Sequence, residues 1–366
     1  MNGERAERLT ALDALRGLTV AAMIVVNNPG ASDRVYAPLQ HAEWNGCTLA
    51  DLIFPFFLFI TGTAITLAVR PATGAPPPYA KIARRTVVIF GLGLFLNGFP
   101  LFDWSVIRIP GVLQRIAICY GAAAFLVATT SVRTQWVTLL LIVIGYWMLT
   151  AMVAAPGAAS VAGPETTLAA YIDRALLSGH LLHDDWDPEG VLSSVPAIAT
   201  TLCGVVAGRC LRAPVPPAHR VWRLLGGGGL ALAVGLLTDR WCPLNKSLWS
   251  SSYVVFTAGA AAVALGGCYW LIDVRGWRRW ARPLEAYGTN ALVAYVLSSL
   301  VTKELWLWQV ARSDGSTVDA ARYLFEVVFL PLARPLDASL LYAGACAVWW
   351  LVVMGVLYRR RVLIKI

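Results

Sequence analysis

Charged side chains are scarce in this chain. Lys, Arg, Asp and Glu make up 14% of its 366 residues and hydrophobic residues 58%, against roughly 25% charged in soluble domains, which excludes an ordinary water-soluble globule. Histidine occurs only four times, and no cysteine pair stands at a zinc-like spacing from one, so no metal is expected. There is no Walker-type glycine loop, and Gly91-Leu92-Gly93 sits inside a hydrophobic stretch where no nucleotide fingerprint belongs. Also missing are a segment of soluble-domain size and a low-complexity tail.

What is present is a series of apolar runs long enough to cross a hydrocarbon core of about 30 Å. Their spacing predicts ten helices, at 12–28, 49–69, 84–98, 111–130, 136–154, 190–211, 222–238, 252–272, 283–308 and 338–358. The first has an uninterrupted apolar core only from Gly17 to Val26, and the third is near the lower length limit; either also reads as a re-entrant helix. Charges before the first run resemble a signal peptide, but Asn27-Asn28-Pro29-Gly30 follows in place of a small-residue cleavage motif, so a retained helix is expected. The expected fold is all-α: a polytopic transmembrane helix bundle of about ten spans with both termini cytoplasmic, forming one integral-membrane domain over residues 1–366.

Cytoplasmic loops should be rich in Lys and Arg. Alternating the loops puts 20 of the 30 basic residues but only 5 of the 21 acidic ones on that side, leaving +15 inside and −6 outside. The overall +9 therefore reflects topology, with attraction to anionic lipid as a by-product, and calls for no nucleic-acid partner. Cys47 and Cys242 both fall outside, where they form a disulfide or remain unpaired thiols. Gly226 to Gly229 open the seventh span; close helix packing is the expected role and an aqueous hinge the alternative.

His41 is the first candidate for chemistry, because it places a titratable base in a short polar loop between two hydrophobic spans. Asn27 closes the first span, where its amide donates to a reacting carbonyl or, as the lesser alternative, caps the helix; Asp51 opens the second, where orienting the imidazole and a charge favoured by the helix dipole are equally good explanations. Gln114 and Arg115 enter the fourth span from the outer side against the charge rule, so Arg115 needs an anion or a wet cavity. Its anion is a cofactor phosphate or an outer acid such as Asp187 or Glu189. Asn290, inside the ninth span, lines the same cavity or bonds a neighbouring helix. The outer segment with Asn245, Lys246, Trp249 and Ser250 offers amide, ammonium, indole and hydroxyl groups suited to a sugar, although tryptophans also anchor at membrane boundaries.

Six blocks carry a resemblance. They are Leu12-Asp-Ala-Leu-Arg-Gly-Leu18 through His41-Ala-Glu-Trp-Asn-Gly46 to Asp51-Leu-Ile-Phe-Pro55; Gly111-Val-Leu-Gln-Arg115; Trp186-Asp-Pro-Glu-Gly-Val191; Leu244-Asn-Lys-Ser-Leu-Trp-Ser250; Ser252-Tyr253; and Gly288-Thr-Asn-Ala291. Together, and in this order, they resemble the heparan-alpha-glucosaminide N-acetyltransferase family and its bacterial relatives. The resemblance implies an enzyme that takes acetyl from cytosolic acetyl-CoA and delivers it to a glucosamine amine across the membrane. Lysosomal members carry an additional N-terminal lumenal domain without a counterpart in this sequence, so the expected acceptor is glucosamine or a cell-wall-derived amino sugar.

On that resemblance His41 is the base or the acetyl carrier, with Asn27 and Asp51 beside it. Trp44, Asn45, Asp187, Glu189, Asn245, Lys246, Trp249 and Ser250 bind the sugar, and Gln114, Arg115 and Asn290 bind the cofactor. Arg84, Arg85, Arg278, Arg279 and Arg282 are inner-face candidates for the CoA phosphates, but topology is the better explanation of such clusters and they are not assigned that role. The implied location is the bacterial inner membrane, and a homodimer is compatible with the resemblance. The alternative from another class is an amino-sugar or muropeptide transporter, since polar residues in a helix bundle also line permeation paths.

Overall fold

The computed structural model describes residues 9–68, 77–157, 163–312 and 315–364. Of the charges assigned above to the two sides, Glu4, Arg5, Glu7, Arg8, Arg70, Asp314 and Lys365 lie outside the described residues. Thirteen α-helices are described: α1 (Thr10–Asn27), α2 (Leu49–Ala68), α3 (Tyr79–Gly98), α4 (Val112–Thr129), α5 (Val132–Met152), α6 (Leu168–Leu177), α7 (Val191–Arg212), α8 (Pro217–Thr238), α9 (Ser251–Cys268), α10 (Arg282–Thr289), α11 (Ala291–Leu307), α12 (Ala320–Leu324) and α13 (Pro335–Arg359). One small antiparallel hairpin, Gln309–Ala311 with Thr317–Asp319, is the sheet structure among the described residues.

Eight of these helices are long and apolar enough to span a bilayer: α1, α2, α4, α5, α7, α8, α9 with its π-helical continuation to Val274, and α13. This is a multi-pass membrane protein. The two remaining expected spans differ for separate reasons. Helix α3 exists, but Lys81, Arg84 and Arg85 in its first turns dilute its apolar character. The ninth span is broken at Asn290 into α10 and α11. There Asn290 Nδ2 donates to the Val362 carbonyl and its Oδ1 accepts from the Ile364 N–H, pinning the end of the chain into the break.

Backbone-close crossings set the core. A Cβ on Gly62 of α2 would stand 1.8 Å from the Thr201 carbonyl oxygen of α7, and one on Gly204 1.9 Å from that of Phe59. Helices α1 and α10 meet the same way at Gly17 and Gly288. In lipid, where apolar side chains gain little by touching each other, such close approach supplies the packing. Only Gly228 of the four-glycine run behaves so, lying against Gly259 of α9; Gly226, Gly227 and Gly229 face open space.

The basic ends of α3, α7, α8 and α13 gather at one end of the bundle, and the first and last described residues lie there too. At the other end the loops 28–48, 99–111, 178–190 and 239–250 interlock. Gly46 N–H donates to the Leu244 carbonyl at 2.7 Å, and Ile109 N–H to that of His180 at 3.0 Å.

Candidate active site

His41 is about half exposed in the interlocked loops, and its Nδ1 lies 2.7 Å from Oδ1 of Asp51. Asp51 is 1% exposed and stands in the first turn of α2. Its Oδ2 accepts from the backbone N–H groups of Ala42 and Thr48 and from the Thr48 hydroxyl, at 3.0 to 3.1 Å. The carboxylate thus closes the amino end of α2, as a capping-box acid does, and orients the imidazole. One oxygen faces the ring and the other the helix terminus. Tyr253, buried in α9, donates its hydroxyl to the Asp51 carbonyl at 2.5 Å and ties this turn to the neighbouring helix. A carboxylate on Nδ1 favours the tautomer with the proton there, which leaves the Nε2 lone pair available.

Lys246 completes the cluster. Its Nζ is 3.0 Å from Nδ1 and 3.3 Å from Nε2 of His41, and 3.4 Å from Asp51 Oδ1. Burial pulls the ammonium below its ordinary lysine value, against the opposing pull of Asp51 and Glu189. Asn27 also lines the cavity in front of His41. The capping contacts at the end of α1 belong to Asn28, whose amide donates to the Ile24 carbonyl at 2.8 Å and accepts from Thr302 at 2.6 Å.

The loop bearing Lys246 is built from residues expected to touch sugar. Asn245 is buried: its Oδ1 accepts from Leu248 N–H and its Nδ2 donates to Asn45. Ser250 caps α9 and receives Asn245 N–H. Trp249 is fully buried with φ of 54°, edge-on to Phe54 and Tyr253, and donates Nε1–H to Thr200 at 3.0 Å. Arg115, also buried, lies 5.0 Å over the Trp249 ring and donates to the hydroxyls of Ser193 and Ser194 and the carbonyl of Gly190. Neither Gln114 nor Arg115 lines the cavity in front of His41, and each keeps one buried nitrogen without a partner. Trp249, Asn245, Ser250, Gln114 and Arg115 therefore form the wall behind the site.

The anion partners expected for Arg115 are taken by Arg108. Its guanidinium meets Asp187 at 2.6 and 2.8 Å and Glu189 at 2.5 Å. Burial alone would depress the arginine, but the two carboxylates outweigh it and hold it above its ordinary value. Asp187 is buried under this contact, whereas Glu189 lines the cavity. Trp44 stands edge-on to Trp186 at 6.2 Å on the same face. Both Cys47 and Cys242 are free thiols, and burial pushes Cys47 up to about 12.

The cavity in front of His41 has a volume of about 160 Å³. A second cavity, about 410 Å³, extends toward the basic end, where Arg16, Arg85 and Asn290 line it. Phe57, Ile116 and Leu292 line both. Along α2 the two run from Ala50 to Ala68, about 27 Å at 1.5 Å per residue, close to the thickness of a hydrocarbon core. Among the described residues no group of three His, Cys, Asp or Glu side chains is disposed to hold a metal ion.

The family model described as heparan-alpha-glucosaminide N-acetyltransferase, catalytic, matches residues 8–225. This chain belongs to that family. The heparan-alpha-glucosaminide N-acetyltransferases of Homo sapiens and Mus musculus are 30% and 29% identical to it, over 79% and 80% of its length. The chain spans about half the length of these curated relatives, 52% and 53%.

The family-model match covers only part of the cluster. The matched region holds Asn27, His41, Asp51 and Glu189, while Lys246, Tyr253 and Leu292, which face or support the same cluster, lie beyond it. Sequence reasoning missed Arg108, Phe57, Ile116 and Leu292. An arginine on the outer side, against the charge rule, was a readable signal for the first; three apolar residues among many gave none.

Proposed function

We propose that this chain is a transmembrane N-acetyltransferase that passes acetyl from acetyl-CoA, taken at the basic face, to the amine of a glucosamine-type sugar at the face bearing His41. One observation carries the reading: a base fixed by Asp51 at 2.7 Å fronts a cavity that shares walls with a second one ending at Arg16 and Arg85. A CoA thioester needs cations for its phosphates at one end and a narrow slot for its arm at the other. The residues present fit that need.

In this scheme the acceptor amine attacks the thioester carbonyl, the new C–N bond forms, and the C–S bond breaks to release CoA thiolate. Nε2 of His41 takes the amine proton, and the Asn27 amide donates to the oxyanion of the tetrahedral intermediate. Attack by Nε2 itself, giving an acetyl-imidazole, starts from the same tautomer and is the covalent alternative. Glu189, which lines the cavity, draws in the sugar's ammonium, and Trp44 and Asn45 of the loop that carries His41 contact the rest of the sugar in this scheme. The basic face and both termini are cytoplasmic in this reading, the membrane is the bacterial inner membrane, and a homodimer is expected on family grounds.

The test uses sealed proteoliposomes with acetyl-labelled acetyl-CoA on the basic side and glucosamine on the other. Labelled N-acetylglucosamine on the sugar side is the expected result. Unmodified glucosamine crossing without CoA would identify a carrier instead.

A further inference from the structure

An acceptor amine has to arrive beside His41, within the small cavity and close to Asp51. A primary amine already stands there. Lys246 Nζ lies 3.0 and 3.3 Å from the two ring nitrogens and 3.4 Å from the carboxylate, and its side chain lines the cavity with Asn27 and His41. The two ring nitrogens direct their in-plane hydrogen-bonding positions apart, so a group this near both lies across the ring and leaves the in-plane Nε2 direction for a proton. Around Nζ, Asp51 and Glu189 favour the ammonium and burial favours the amine, while the neighbouring Cys47 thiol, pushed up to about 12, is uncharged near neutral pH.

We infer that Lys246 is itself an acetylation site of this chain: when acceptor is scarce, its Nζ takes the acetyl group and the amide so formed closes the cavity. This rests on the acetyltransferase reading above. The neutral Nζ attacks the thioester carbonyl carbon, the C–N bond forms, the C–S bond breaks and CoA leaves as the thiolate. The proton shed by Nζ passes to Nε2 of His41 and from there to the thiolate. Unlike a thioester or an acetyl-imidazole, the amide does not hand its acetyl on, so the modified form accumulates. It removes a cation from beside Asp51 and adds bulk to a space of about 160 Å³. An amino sugar occupying the same spot displaces Nζ and protects it, so the chain responds to the ratio of donor to acceptor.

The experiment incubates the purified chain with acetyl-CoA, with and without glucosamine, and follows Lys246 by peptide mass spectrometry and the residual turnover in parallel. The expected result is a gain of one acetyl group at Lys246, faster as pH rises, suppressed by glucosamine, absent in His41→Asn, and matched by loss of turnover. Lys246→Arg, whatever its initial rate, shows no such loss on preincubation. A wild-type chain that acetylates glucosamine but leaves Lys246 unmodified overturns the inference, as does equal modification in His41→Asn. A chain that binds acetyl-CoA yet acetylates no amine overturns the underlying functional reading instead.

Discussion

One oxygen of Asp51 holds His41 Nδ1 at 2.7 Å while the other receives two backbone N–H groups and a hydroxyl at the start of α2. The imidazole is thereby tied to a helix terminus as well as to its own loop. Replacing His41 by Asn should lower turnover by roughly 10²- to 10⁴-fold and leave the melting temperature nearly unchanged, because the ring is half exposed. Asp51→Asn should do both kinds of damage: a large fall in kcat and a loss of about 1 kcal/mol from the weakened cap. Steady-state kinetics and thermal melts on the same preparations separate the two effects.

Arg108 is the cation for two carboxylates, one of them fully buried. Arg108→Gln leaves Asp187 without its partner and should cost about 3 kcal/mol. Adding Asp187→Asn should restore part of that stability, since the uncompensated charge is gone. Melts of the single and double variants in detergent check this, and a double variant no better than the single contradicts it.

The wall shared by the two cavities offers a direct block. Ile116→Trp should abolish acetyl transfer from the basic side by filling the constriction. Alkylation of His41 by a small reagent added at the mouth should continue at the wild-type rate. Equal loss of both would mean that the variant disturbs the bundle as a whole.

Burial raises the Asp173 carboxyl in α6 to about 6, even though it accepts the Val191 N–H at 2.8 Å. A folded-state value above the unfolded one gives stability that is present in acid and lost as pH climbs through the folded value. Melting temperature should therefore fall between about pH 4 and pH 6, from the unfolded carboxyl value to the folded one, more in the wild type than in Asp173→Asn, which keeps an acceptor but has no charge to bury. Parallel pH profiles that do not diverge would contradict this assignment.

Much of this architecture is legible in the sequence, because a span announces itself by length and hydropathy. The break at Asn290 is not, since Gly288 and Asn290 read equally well as small polar members of one helix until the end of the chain docks on them. At the site, His41, Asn27, Asp51 and Glu189 stand out as polar groups at a membrane boundary. Burial is what the sequence leaves open: Trp249 and Arg115 carry the group types a ligand site needs, yet they are buried against each other, and Trp249 donates its backbone N–H to the Lys246 carbonyl. Lys246 itself was readable as polar but not as the neighbour of a histidine 205 positions away.

Phe57, Ile116 and Leu292 present hydrocarbon where the two cavities meet. Those three side chains offer ions and hydronium no solvating partner, so this stretch should pass little charge. An acetyl group handed across in the proposed reaction would carry no net charge, and turnover should be indifferent to voltage.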